Sequence, residues 1–137
     1  MTFLNLKFSF KNYFAAAFPA FLLIYSFSYR YAYLACNPAE RAEGLQQQVA
    51  KIDLDSDSVA IHRFGGDEYP GEPVFIPTGG DAEDEGVIVT LVFDAAAKRS
   101  SIVGLDARDV AARPLFRARL KHHVPYSLHG FFAAGLG

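Results

Sequence analysis

From residue 29 onward the chain alternates between short apolar runs and polar, Gly/Pro/Asn/Asp-rich breaks, a period suited to strands rather than helices. YRYAYLAC (29–36) is aromatic and β-prone, and NPAERAEG (37–44) is a polar loop opened by Asn-Pro. QVAKIDL (48–54) places Val49, Lys51 and Asp53 on one face and Ala50, Ile52 and Leu54 on the other. DSDS (55–58) turns the chain into SVAIHRF (58–64), which returns as the second strand of a hairpin closed by Gly65-Gly66-Asp67.

A second group follows. EPVFIP (72–77) is a short strand fenced by prolines, then TGGDAEDEG forms an acidic loop. GVIVTLVFD (86–94) is an unbroken apolar run, which predicts burial on both faces. AAAKRS turns the chain, SIVGLDA (101–107) pairs back, and ARDVAARP is a connector with room for one helical turn. LFRARLKH (115–122) alternates, predicting Phe116, Ala118 and Leu120 inward and Arg117, Arg119 and Lys121 in water. The groups 29–64 and 72–122 predict an all-β protein of antiparallel sheets, either two blades of a propeller or one sandwich. Pattern alone does not choose between them.

Residues 12–29, NYFAAAFPAFLLIYSFSY, carry no charge and lie between Lys7/Lys11 and Arg30. Three readings stand open: a membrane span, short of the ~20 apolar residues a span needs and broken by Pro19; a targeting signal; or an apolar segment of the fold. Residues 1–28 are therefore an apolar N-terminal segment of undecided structure, and 29–137 the β domain.

The length of 137 residues suits one domain, and the aromatic content of 15% excludes a disordered tail. A formal charge of −2 without any basic stripe argues against nucleic acid. Cys36 is the sole cysteine, so no internal disulfide or cysteine zinc site forms, and an apolar strand makes it a small buried hydrophobe. Asp81, Glu83, Glu85 and Gly86 imitate the start of an EF-hand loop, but Val92 occupies the place of the terminal acid and a strand follows where a helix should. A solvated acidic turn is the expectation there. No HExxH, GxSxG or phosphate loop is present.

Three of the four histidines fall in HHVPYSLHG (122–130). They do not make a local metal site, since an extended chain sets His123 and His129 ~20 Å apart at ~3.3 Å per residue and Pro125 bars a continuous helix.

Three stretches in order, DEYPGEPVFIP (67–77), EDEGVIVTLVFD (83–94) and HHVPYSLHG (122–130), resemble the closing motifs of the carotenoid cleavage oxygenases. That family includes apocarotenoid and lignostilbene dioxygenases and the retinal-pigment-epithelium isomerase. Its typical forms are Tyr-Pro-Gly/Ser-Glu-Pro-hydrophobic-Phe, an acidic Glu-Asp-Asp-Gly before an apolar strand, and Pro-x-x-x-His-Gly. Phe18-Pro19, Tyr29 to Tyr33 and Asn37-Pro38 also fall where the family has comparable residues, so the likeness covers about 18–132.

The resemblance implies a seven-bladed β-propeller with Fe(II) on its axis, held by four histidines from different blades. His129 matches the last iron ligand, and Glu72 matches a carboxylate that accepts a hydrogen bond from a ligand histidine. Imidazole suits iron, and a carboxylate on the other ring nitrogen fixes tautomer and orientation. His122 and His123 match no ligand and read as strand-end residues, and His62 sits on a surface strand. Asp84-Glu85 replaces the commoner Asp-Asp. The other three ligand histidines belong upstream of anything in this sequence, which corresponds to roughly the last quarter of such an enzyme. The expectation is a C-terminal fragment or truncated gene product of a dioxygenase that splits a C=C of a carotenoid, apocarotenoid or stilbene with O₂, inactive by itself. Its implied partners are a lipophilic polyene or stilbene and O₂. Its expected place is the cytoplasm, with attachment to a membrane surface through 12–29 as an open variant. A non-catalytic β-rich or membrane-associated module is the alternative.

Overall fold

The computed structural model describes residues 29–38, 40–41, 43–125, 130–133 and 135. Two antiparallel sheets account for their regular structure. The first orders β1 (Tyr31–Cys36), β2 (Gln48–Asp53) and β3 (Ser58–Arg63) as β1-β2-β3. The second runs β4-β6-β7-β8, built from β4 (Glu68–Pro70), β6 (Gly86–Asp94), β7 (Arg99–Asp106) and β8 (Phe116–Arg119). In addition β5 (Val74–Pro77) pairs with the same edge of β6 as β4 does.

The two long hairpins turn alike. Asp53 pairs with Ser58 and Asp94 with Arg99, and the last loop residue of each, Asp57 (φ 54) and Lys98 (φ 52), is left-handed. In both, the aspartate before the loop accepts a backbone N–H from inside it: Asp55 N–H to Asp53 at 3.0 Å, Ala97 N–H to Asp94 at 2.8 Å. That is the local chemistry by which Asp favours turns.

The core lies between the sheets. Val49 of β2 packs with Ile88 and Val92 of β6, Val103 and Leu105 of β7, and Ala107 and Val110 of the connector, all buried. Tyr33 joins the sheets at the margin: its ring stacks on Phe75 with centroids 5.9 Å apart, and its hydroxyl donates to the Ala107 carbonyl at 2.8 Å. Burial pushes its phenol well above the usual range. Tyr33→Phe keeps the stack and loses that bond, and should cost about 1 kcal/mol by thermal unfolding.

Several expectations need correction. The strand β4 was not foreseen. The run 86–94 is fully buried on one face only, at Ile88, Thr90 and Val92; Val87, Val89, Leu91 and Phe93 are half-buried. In β8, Arg117 and Arg119 are exposed as expected, but so are Phe116 and Ala118, which were expected inward. Its register pairs Phe116 with Gly104 and Arg117 with Val103, so the arginines share the core face and Phe116 is exposed. Arg117 pairs there with Glu68. The connector 107–114 forms turns without a helix and sends Val110 into the core.

Candidate metal-site corner

Glu72 owes its position to a β-bulge. Pro70 stands opposite Val92, but Val74 stands opposite Val89, so residues 71–73 face only residues 90–91. One extra residue lets the strand bend and re-aim a side chain. The sequence Gly-Glu-Pro fits this need, because Pro73 has no N–H to contribute to a ladder. The bulge is pinned twice: Gly71 N–H donates to the Leu91 carbonyl at 2.8 Å, and the buried Thr90 hydroxyl donates to the Gly71 carbonyl at 2.9 Å.

From this bulge Glu72 reaches the C-terminal segment. Its Oε2 accepts the backbone N–H of Gly130 at 2.9 Å, across 58 positions of sequence. Gly130 also approaches β5 closely: a Cβ there would lie 3.5 Å from Val74 Cγ2. His129 itself lies outside the described residues, so its contacts form no part of this geometry. The segment before it is anchored to β7. Leu120 N–H donates to the Ser100 carbonyl at 2.9 Å, and the Ser100 hydroxyl both accepts Val124 N–H at 3.0 Å and donates to the Val124 carbonyl at 3.2 Å. His123 is exposed and edges the Phe93 ring at 4.9 Å; His122 is exposed. His62 is half-buried against Phe64, with ring centroids 4.8 Å apart. Among the described residues no cluster of three or more His, Cys, Asp or Glu could hold a metal. The donors on view therefore fit one corner of a metal centre, a carboxylate next to a histidine's neighbour, and not a whole one.

The acidic loop does more than the solvated turn expected of it. Glu83 accepts the backbone N–H groups of Arg30 at 2.8 Å and Tyr31 at 3.0 Å, bringing the start of β1 to the second sheet. Asp84 pairs with Lys51 at 2.6 Å, and that ammonium also donates to the Arg108 carbonyl at 3.1 Å and lies 4.1 Å from the Tyr31 ring centre. Glu85 pairs with Arg108 at 2.7 Å. The signal that could have found this was Lys51, a cation set between the apolar Ala50 and Ile52 in a buried strand, which demands a carboxylate from elsewhere. Cys36 is buried as expected, and burial pushes its thiol up to about 11, which leaves it unreactive near neutrality.

Residues 25–134 match the family described as retinal pigment epithelial membrane protein. Among curated relatives, the apocarotenoid-15,15'-oxygenase of Synechocystis sp. is 39% identical over 106 residues, covering 77% of this chain and 22% of its own. The probable carotenoid cleavage dioxygenase 4, chloroplastic, of Arabidopsis thaliana is 36% identical over 125 residues, covering 87% of this chain and 20% of its own. The structure of cobalt-substituted Synechocystis apocarotenoid oxygenase superposes with a TM-score of 0.67 at 39% identity, over 74% of this chain and 22% of that one. The chain thus spans about a fifth of the length of the relatives it matches. No helix among the described residues is long and apolar enough to cross a membrane; of the 12–29 segment, all but residue 29 lies outside them.

Proposed function

The chain belongs to the retinal pigment epithelial membrane protein family, and from that premise we propose that it supplies one corner of a non-haem iron(II) centre for oxidative cleavage of a carotenoid, apocarotenoid or stilbene C=C. His129 is the ligand it contributes, and Glu72 the carboxylate that orients a ligand imidazole. One observation carries the reading: the Glu72 carboxylate and the residue directly after His129 are hydrogen-bonded at 2.9 Å, although 58 positions separate them. The superposition with a metal-substituted oxygenase supports it.

Iron(II), when bound, supplies the site at which O₂ is activated toward an alkene. The chain's own residues prepare that site. A carboxylate accepts several hydrogen bonds at once, so the role assigned to Glu72 is to accept an imidazole N–H as well as the Gly130 N–H and so fix which ring nitrogen faces the metal. Pro125 restricts the backbone just before the ligand segment. The two sheets stand for the last blades of a propeller whose remaining ligands come from elsewhere in the enzyme. A lipophilic polyene is the substrate class, and a membrane surface is where such a molecule would be met. The cytoplasm, with contact to that surface, is the location this reading assigns.

The test uses the purified 137-residue chain with one equivalent of Fe(II), O₂ and an apocarotenoid or stilbene. Weak iron binding and no aldehyde product are expected. Turnover by this chain alone would overturn the one-corner reading.

A further inference from the structure

We propose that the hairpin end of the second sheet's core face is a binding site for a phosphate group, held by Arg99, Ser101 and Arg119. The strand register sets these three side by side. Val92 pairs with Ser101, Ser101 with Arg119 and Val103 with Arg117, so Arg99, Ser101, Arg117 and Arg119 share the face that carries Val92 and Val103. The two valines pack with Val49 of the first sheet. Beyond them the face opens into a pocket of about 510 Å³, lined by Glu68, Asp94, Arg99, Ser101, Arg117 and Arg119. The C-terminal segment lies on the other side of the sheet, where the neighbouring Ser100 holds Val124 at 3.0 Å.

The carboxylates of this pocket are engaged elsewhere. Glu68 pairs with Arg117 through one oxygen and accepts the Gly65 N–H through the other at 3.1 Å. Asp94 stands opposite Arg99 in register but serves its own turn, accepting the Ala97 N–H at 2.8 Å. Among the described residues no carboxylate pairs with Arg99 or Arg119. Ser101 is 7% exposed, and no hydrogen bond of its hydroxyl is found among those residues. A hydroxyl so buried is ordinarily satisfied, so this one has a proton to donate into the pocket. Like charges on neighbouring positions of one sheet face repel, and an anion between them removes that cost. The donor set selects the anion. One planar guanidinium fork satisfies a carboxylate. Two guanidinium groups and a hydroxyl, projecting from two strands, instead offer donors in several directions, which suits the oxygens of a tetrahedral phosphate. Pockets of this volume take ligands well larger than a lone phosphate, so the group is one end of a larger molecule.

The experiment titrates inorganic phosphate into the full 137-residue chain and follows the Arg99 and Arg119 Nε–H signals and the Ser101 amide by NMR. Saturable shifts at all three are expected, with acetate binding about 10-fold more weakly. Arg99→Ala and Arg119→Ala, both at exposed positions, should each weaken phosphate binding by about 10-fold, the loss of a charge-assisted hydrogen bond. Ser101→Ala leaves the charge unchanged and should still weaken it by about 3-fold. Arg113→Ala removes a positive charge from the exposed connector, away from the pocket lining, and should leave it unchanged. If Ser101→Ala does not fold, the arginine variants and the acetate comparison decide. Absence of saturation, equal binding of acetate, no loss in Ser101→Ala, or equal losses in Arg113→Ala and Arg119→Ala would overturn the site. A second arm uses vesicles containing phosphatidate. Co-sedimentation abolished by Arg119→Ala would place the phosphate on a lipid headgroup; saturable phosphate binding without it would place the phosphate on a soluble molecule, and either result supports the site.

Discussion

Replacing Asp84 with alanine is expected to destabilise the fold by about 3 kcal/mol, the lower end of the cost of leaving one partner of a buried ion pair alone, because the pair is part-buried. Lys51 is only 7% exposed, and the Arg108 carbonyl and Tyr31 ring that would remain to it carry no full charge. A domain of this size has about 5–15 kcal/mol in total, so the variant should melt far below the parent. The double variant Lys51→Met, Asp84→Leu should recover most of the loss, because it removes the stranded charge as well as the pair. Urea unfolding of the three proteins checks this; a single-variant cost below about 1 kcal/mol would mean that the pair behaves as a solvated surface bridge.

Acid sensitivity follows from the same contact. The hydrogen bond from Lys51 holds the Asp84 carboxyl below its usual range. A depressed folded-state pKa contributes stability that is complete above the unfolded value of about 3.9 and is lost as pH falls through the lower folded one. Asp84→Asn, which cannot titrate, should therefore show a shallower loss of stability over that acid window than the parent does.

Gly86→Ala should be the most damaging change among the glycines of the second sheet, at about 3 kcal/mol, the upper end of the overpacking range. A Cβ at Gly86 would come to 2.5 Å from the Ile76 carbonyl oxygen, and backbone in a paired strand cannot step aside. The approach at Gly104 is closer still, yet it is to the ring of Phe116, which is 44% exposed and can rotate outward. Gly104→Ala should cost less for that reason. Because β5 is the strand that leaves the Glu72 bulge, Gly86→Ala should also speed hydrogen exchange at Gly130. Equal melting temperatures for the two variants would contradict this ranking.

What the sequence revealed, and what it hid, divides along physical lines. The hairpin of 48–54 and 58–64 was legible because Asp-rich turn chemistry and a β-branched return strand act locally. The long apolar β6 was legible for the same reason. Strand β4 was not, because it is short and is separated from β5 by a bulge whose existence depends on β6, a partner some twenty residues away. Phe116 was misplaced because alternation fixes which residues share a face but not which face is inward; pairing with Gly104 decides that. The Glu83–Asp84–Glu85 ties were hidden because their partners Arg30, Lys51 and Arg108 are distant in sequence. Of the site, Glu72 and His129 were named by resemblance alone. Geometry adds the Glu72–Gly130 bond and the Thr90 and Ser100 hydroxyl contacts; His129 lies outside the described residues.

The central claim is that this chain contributes a metal-binding corner through His129. Its most direct test replaces the matching segment of Synechocystis apocarotenoid oxygenase with residues 29–133 of this chain, then measures iron content and apocarotenoid cleavage. The chimera should retain both, and its His129→Ala form should lose cleavage and most of its iron. An alanine form that keeps the iron and the cleavage of its parent chimera would contradict the account.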